Sequence, residues 1–259
     1  MVKPWARRFI LNRNHTLYFC KVKTMNTSIY KDVRLINREE DKKLKVTPIE
    51  GFAYAANLRD CIITVAEFYE AAKSQPVVFT KSVEGKYGAV ALMGLQGEKN
   101  LFVNEDGSWR MGQYVPAYVR RYPFIYVQHS GETLSLAIDH DNKAVNKRKG
   151  EALFNADGEP TEYTGRVMEF LNQYQQADAH TKAMVKMLDD KGLLEEATAQ
   201  MVQNGEKVSL TGFMRVNEER LSGLNDGDVL EMTKSGAYKW VVAHLMSLSN
   251  FQKLVTYSE

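Results

Sequence analysis

The chain has 259 residues and a mass of 29.5 kDa, a length that fits one large domain or two small ones. At 44% hydrophobic and 25% charged its composition is ordinary for a globular protein, which excludes a disordered, collagen-like or disulfide-scaffold chain. No uninterrupted hydrophobic run exceeds five residues (Phe52 to Ala56, Ala89 to Met93), against the roughly 20 that a membrane-spanning helix needs.

The formal net charge of +2 is unevenly placed. Residues 1–24 hold Lys3, Arg7, Arg8, Arg13, Lys21 and Lys23 and no acidic group, so the stretch from Met25 onward, with 28 basic and 32 acidic residues, carries about −4. A basic arm can bind nucleic acid or an anionic membrane. Here it shows no clear helical period, and MNTSIYKDVRLI from Met25 reads like a protein start, so residues 1–24 are expected to be an extension that is untranslated or disordered. Asn12, Arg13 and Asn14 interrupt the only apolar stretch that a secretory signal would need, which makes a cytoplasmic location the default. Cys20 and Cys61 make neither a disulfide framework nor a metal-ligand spacing, and Cys61 is expected to pack as a buried small hydrophobe.

From about Leu44 to Asn155 the pattern is β-rich with short helices. Ala66 to Lys73 reads as one such helix. Pro76 to Lys81 and Gly88 to Leu95 are β-branched or apolar runs bounded by Gly and Pro, the pattern of buried strands. Asn100 to Val103 is expected as a third strand, closed by an Asp106-Gly107 turn. Val115-Pro116 predicts a helix start, Ala117 to Arg121 gives it one or two turns, and Tyr122-Pro123 ends it. Phe124 to Gln128 and Thr133 to Asp139 read as a hairpin around Ser130-Gly131.

After Pro160 the pattern turns mostly helical. Val167, Met168, Phe170, Leu171 and Tyr174 fall on one face, and Met184, Val185, Met187 and Leu188 repeat the spacing in the next segment. Asn204-Gly205 is a two-residue hairpin signal between Gln200-Met201-Val202 and Val208-Ser209-Leu210. Asn217 and Asp226 are expected N-caps, Ser249-x-x-Gln252 fits a capping box, and Tyr238, Val241, Val242, Leu245 and Met246 are expected as the buried stripe of the penultimate helix, with His244 at its edge. The fold class expected is α+β: a β-rich part (25–158) packed against a mainly helical part (159–259) as one compact unit.

Motifs with defined chemistry are scarce. Gly94-Leu-Gln-Gly97-Glu-Lys99 lacks the endings of a phosphate loop and reads as a turn. Asp139-His140-Asp141, with His129 nearby, offers hard donors, but neighbouring residues at a strand end point to opposite faces, so a solvated loop is the expectation and no metal site is assigned. No G-x-S-x-G is present. His180 reads as polar helix surface. Glu67, Asp106 and Asp139 are carboxylates of a type that serves acid–base chemistry, with no spacing that links them.

The densest polar and aromatic segment runs from Trp109 to Phe124 and includes Tyr114, Tyr118, Arg120, Arg121 and Tyr122. Aromatic planes beside guanidinium groups can stack on bases or cradle carboxylates and phosphates. On a short helix Tyr118 and Tyr122 would share a face, with Arg121 one turn from Tyr118. The alternative is that the tyrosines are core and the two arginines pair with carboxylates of the body.

This segment also carries a resemblance. Phe52-Ala-Tyr-Ala-Ala56, Glu67-Phe68 with Ala71-Ala72, Pro76-Val-Val-Phe79, Ala91-Leu-Met-Gly-Leu95, Asn100-Leu-Phe-Val103, Asp106-Gly-x-Trp109, Tyr114-Val-Pro-Ala-Tyr118, Arg120-Arg-Tyr-Pro-Phe124 and Ala137-Ile-Asp139 appear in order. Gly150 to Phe154, Gly158-x-Pro160 and His244-Leu-Met-Ser-Leu248 follow. Together they resemble the SapC family of bacterial proteins over about Val33 to Val255, which leaves the basic arm outside. The family takes its name from a gene associated with the surface layer. Its members occur beside genes for outer-membrane receptors, halogenase-like and cupin-like proteins, which implies an accessory role in an uptake or peptide-modifying system and, by resemblance only, a cell-surface association. It supplies no catalytic residues to carry over. A peptide-transporter permease of the same name is a different protein, since this sequence has no spanning helix.

Three readings follow. The first is an accessory protein that binds a peptide or protein partner through Trp109, Tyr114, Tyr118, Arg120, Arg121 and Tyr122, with no cofactor implied and no preference for nucleic acid. The second is an enzyme whose site is assembled from Glu67, Asp106, Asp139 and the arginines. The third is a structural surface-layer component.

Overall fold

The computed structural model describes residues 18–21, 29–82, 84–95, 99–130, 133–203 and 205–258. The basic extension outside Tyr18–Lys21, the start at Met25, and parts of the 94–99 and 130–133 turns therefore lie outside the described residues.

The architecture is α+β, with three sheets among the described residues. The largest has the order β1 (Tyr18–Lys21), β12 (Glu206–Val216), β5 (Val77–Lys81), β6 (Tyr87–Leu92), β4 (Asp60–Ile62), and β11 (Leu194–Gln203) also pairs with β12. Val77, Val78 and Phe79 of β5 and Ala89 to Leu92 of β6 are almost fully enclosed, as continuous apolar runs require. A second sheet joins β2 (Val33–Leu35), β8 (Thr133–Asp139) and β7 (Phe124–Ser130), and a third joins β10 (Glu151–Ala152), β3 (Lys45–Val46) and β9 (Val145–Asn146). The short helices α1 (Phe68–Ala72) and α2 (Ala117–Arg120) lie in the first half of the chain. The second half holds α3 (Glu162–Asp190), α4 (Glu218–Ser222), α5 (Asp226–Ser235), α6 (Ala237–Ser247) and α7 (Phe251–Ser258). No helix of the described residues is long and apolar enough to cross a membrane.

The two expected segments after Pro160 are one helix. Thr161 caps α3 by accepting the Thr164 N–H at 3.3 Å, and no proline follows until Gly192 (φ 66°) ends the helix in the left-handed region. Along its length α3 serves two apolar clusters. Leu171 joins Leu44, Val46, Phe124, Ile138 and Leu153, while Met184, Val185 and Leu188 join the larger cluster around Phe68, Phe79, Met93, Phe102 and Val241.

Several expectations are corrected by local hydrogen bonding. Asn100 to Val103 is a turn and not a strand, because the Asn100 side chain accepts the Phe102 N–H at 2.9 Å and donates to Ala55 O. The cap of α5 is Asn225, whose Oδ1 accepts the Asp228 N–H, so Asp226 is its first residue. Ser249 donates to Met246 O within a 3-10 turn and makes no capping box. On α6 the buried face is Ala237, Trp240, Val241, His244 and Ser247, while Tyr238, Val242 and Met246 are exposed.

His244 is the reason for that rotation. Met214 of β12 stands opposite Phe79 of β5, so Val216 and Val77 are the next pair in register. The imidazole sits between them: Val216 N–H donates to Nε2 at 3.1 Å and Nδ1 lies 2.7 Å from Val77 O. The ring thus completes the ladder, and it is fully buried, not at an edge. Burial pushes its pKa down to about 4, against the pull of the Val77 carbonyl, and holds it neutral.

Candidate functional site

The segment from Trp109 to Phe124 is fixed at several anchors before it offers anything to a ligand. Trp109 packs between Phe52 and Phe102, with ring centroids at 5.3 and 5.9 Å. Glu67, in a 3-10 turn before α1, is buried with a reciprocal cap on Thr64. Its other oxygen accepts the Tyr114 hydroxyl at 2.9 Å and the Ala117 N–H at 2.5 Å. That carboxylate therefore sets where α2 begins.

α2 delivers Arg120 and Arg121 in different ways. Arg120 is exposed, donates to Val115 O at 3.0 Å and to the Tyr114 hydroxyl at 3.1 Å, and lies 5.5 Å from the Phe170 ring centre. Arg121 is half-buried within three tyrosines, its guanidinium carbon 4.3 Å from the Tyr118 ring centre, 4.9 Å from Tyr174 and 5.7 Å from Tyr30. Burial opposes its charge, but the three tyrosines outweigh burial and raise its pKa, so it stays protonated. Burial in turn raises the pKa of all three phenols, with Arg121 pulling the other way. Among the described residues neither arginine makes an ion pair with a carboxylate, while Tyr122 belongs to the larger apolar cluster and Tyr114 and Tyr118 pack against it.

α2 ends at Arg120, so Tyr122 lies past the helix that was expected to align it with Tyr118. The chain turns at the cis Tyr122–Pro123 bond, and the Tyr122 ring stacks on Tyr54 at 4.3 Å. Its hydroxyl donates to Asp139 Oδ2 at 3.0 Å. Asp139 was expected in a solvated loop, yet it is fully buried and also accepts the N–H groups of Lys31, Asp32 and Asp141 at 2.9–3.1 Å. Burial pushes its pKa up, and those four donors reverse the sign and hold it below the usual carboxylate value. Asp106 is exposed and bonds Ser108 in its turn, as the Asp106-Gly107 signal implies.

A cleft of about 510 Å³ opens beside Arg120, Arg121 and Tyr122, at the seam of the two apolar clusters. Phe52, Tyr54 and Ile49 form one wall, Phe124 and Val46 another, and Tyr163, Arg166, Val167 and Phe170 of α3 the third. Gly51 at its edge has φ 72°, and a Cβ there would stand 2.8 Å from Gly107 O, so the close approach requires glycine. Of the nine residues singled out from the sequence, three line this cleft. Trp109, Tyr114, Tyr118 and Glu67 support it from behind, while Asp106 and Asp139 belong elsewhere. Glu67, Asp106 and Asp139 share no hydrogen-bond partner, and none lines the cleft.

Sequence reasoning missed Tyr30, Arg166 and Tyr163, for which no local signal exists. Phe170 and Tyr174 were visible only as a helix face. Asp60 was also missed: burial pushes its pKa up to about 6 although Arg59 stands 3.8 Å away, but it lines neither this cleft nor the second one. The second cleft, of about 430 Å³, lies between Tyr69, Gln173, Gln176, Lys239 and Trp240, and there exposed His180 meets the Trp240 ring edge-on at 4.9 Å. Cys61 is a buried free thiol, its pKa raised by burial. Among the described residues no group of three or more His, Cys, Asp or Glu side chains is placed to hold a metal ion.

The chain matches no curated protein and no solved structure. The SapC family model does match it, over residues 36–254, a span that contains every residue lining the cleft, while Tyr30 beside Arg121 lies before it. This chain therefore belongs to the SapC family.

Proposed function

We propose that the protein is a binding module that receives a segment of a peptide or protein partner in the cleft beside α2. The observation that carries this reading is the cleft itself: about 510 Å³, walled by aromatic and aliphatic side chains and edged by Arg120 and Arg121, which have no acidic partner among the described residues. Concave apolar sites with a few placed polar groups are the usual form of a ligand site. Membership of the SapC family fits an accessory role in a surface-layer, uptake or peptide-modifying system.

A panel of acetylated aromatic and aliphatic hexapeptides, read by fluorescence anisotropy, tests the proposal. The wild-type chain is expected to bind a subset, and Val167→Trp, which fills the cleft from α3, is expected to weaken binding by about tenfold or more. Arg120→Ala is expected to weaken binding while stability changes by less than about 1 kcal/mol, as for surface substitutions. Binding that survives the filled cleft, or an Arg120→Ala variant that loses folding as much as binding, would sink the reading.

A further inference from the structure

We infer that the arginine end of the cleft is a carboxylate anchor, with Arg121 as its inner donor and Arg120 at its rim; this deepens the binding reading above and rests on it. Three tyrosine rings surround the Arg121 guanidinium, their centres 4.3, 4.9 and 5.7 Å from its carbon, and it also donates hydrogen bonds to the hydroxyls of Tyr30 and Tyr118. Guanidinium N–H donors lie in one plane, in a fork that matches the two oxygens of a carboxylate, and these tyrosine contacts leave one of Arg121's over. Its Nε is buried and has no hydrogen-bond partner. A buried donor left unmade is costly, and a ligand oxygen relieves that cost.

Charge around the cleft points the same way. Of the three arginines on its lining, Arg166 is paired with Glu162 at 2.7 Å, while Arg120 and Arg121 have no such partner among the described residues. Among the described residues, Glu151 is the one acidic residue on the lining. Arg121 is half-buried, and the lowered polarity of its surroundings strengthens any ionic contact made there. The apolar remainder of the cleft suits a hydrocarbon or aromatic body, so the ligand combines such a body with a carboxylate, supplied by a peptide C-terminus or by an acidic side chain.

The test uses the full chain and one set of acetylated hexapeptides in three forms: a free C-terminal carboxylate, a C-terminal amide, and an amide carrying one internal Glu. At least one carboxylate form is expected to bind about tenfold tighter than the plain amide, and the advantage is expected to shrink to about twofold in Arg121→Met. The form that holds the advantage identifies the source of the carboxylate. Should Arg121→Met fail to fold, raising salt from about 50 to 500 mM on the wild type reads the same contact, because the advantage must fall with screening. Equal binding of acid and amide, or an advantage indifferent to salt, overturns the anchor and leaves the binding reading standing. Absence of binding in all three forms removes both.

Discussion

Asp139 and Arg121 are both charged groups drawn away from water, and adjacent residues of one turn address them. Tyr122 reaches Asp139, while Arg121 turns into its tyrosine cage. Asp139 has four donors within 3.1 Å, which bind the strand end, the Lys31–Asp32 segment and the Tyr122 turn into one knot. Arg121 has aromatic faces and an unmet Nε donor, and it opens on a cleft. The comparison separates two uses of buried charge. One whose hydrogen bonds are complete holds the fold, and one whose bonds are incomplete is available to something else.

The largest effect is expected at the completed site. Asp139→Ala leaves three backbone N–H groups and the Tyr122 hydroxyl without their acceptor, and is expected to destabilise the chain by about 3–5 kcal/mol in denaturant melts. A loss under about 1 kcal/mol would mean that water replaces the carboxylate and the distinction fails.

The next effect is set by pH. His244 is neutral in the fold with a pKa near 4, against about 6.5 when unfolded, so the unfolded chain binds the extra proton. Its contribution is complete above about pH 6.5 and is lost as pH falls toward 4, on the order of 3 kcal/mol. Asp139, with its lowered pKa, contributes above about pH 4 and loses that contribution only below it. Stability measured from pH 7 to pH 3 is thus expected to fall in two windows, the first flattened in His244→Gln. A single fall below pH 4 would show that the His244 bridge between β5 and β12 does not titrate this way.

The smallest effect sharpens the other side of the comparison. Arg121→Met is expected to change stability by less than about 1.5 kcal/mol, because relief of an unpaired charge offsets the lost stacking. Destabilisation as large as that of Asp139→Ala would make Arg121 structural, and the cleft would lose its anchor.

Much of this protein is legible in the chain alone. Apolar runs at β5 and β6, the pairing of β11 with β12, the Pro116 helix start and the α+β class follow from local periodicity and turn chemistry, because those signals act over a few residues. The motif order also carried the SapC family and directed attention to Arg120 and Arg121. The cleft was not legible. Its walls come from Ile49 to Tyr54, the α2–β7 turn and α3, which lie far apart in sequence, and no spacing rule joins Tyr30 or Tyr174 to Arg121. The same limit reversed the expectations for Asp139 and for the α6 stripe. Whether a polar group is solvated or buried depends on donors delivered by distant segments, Lys31 and Asp32 for Asp139, Val77 and Val216 for His244. Sequence determined which segments form strands and helices and which family they build. Tertiary packing alone decided which charges are fully bonded and which keeps an unmet donor, because that balance is summed over contacts no local pattern contains.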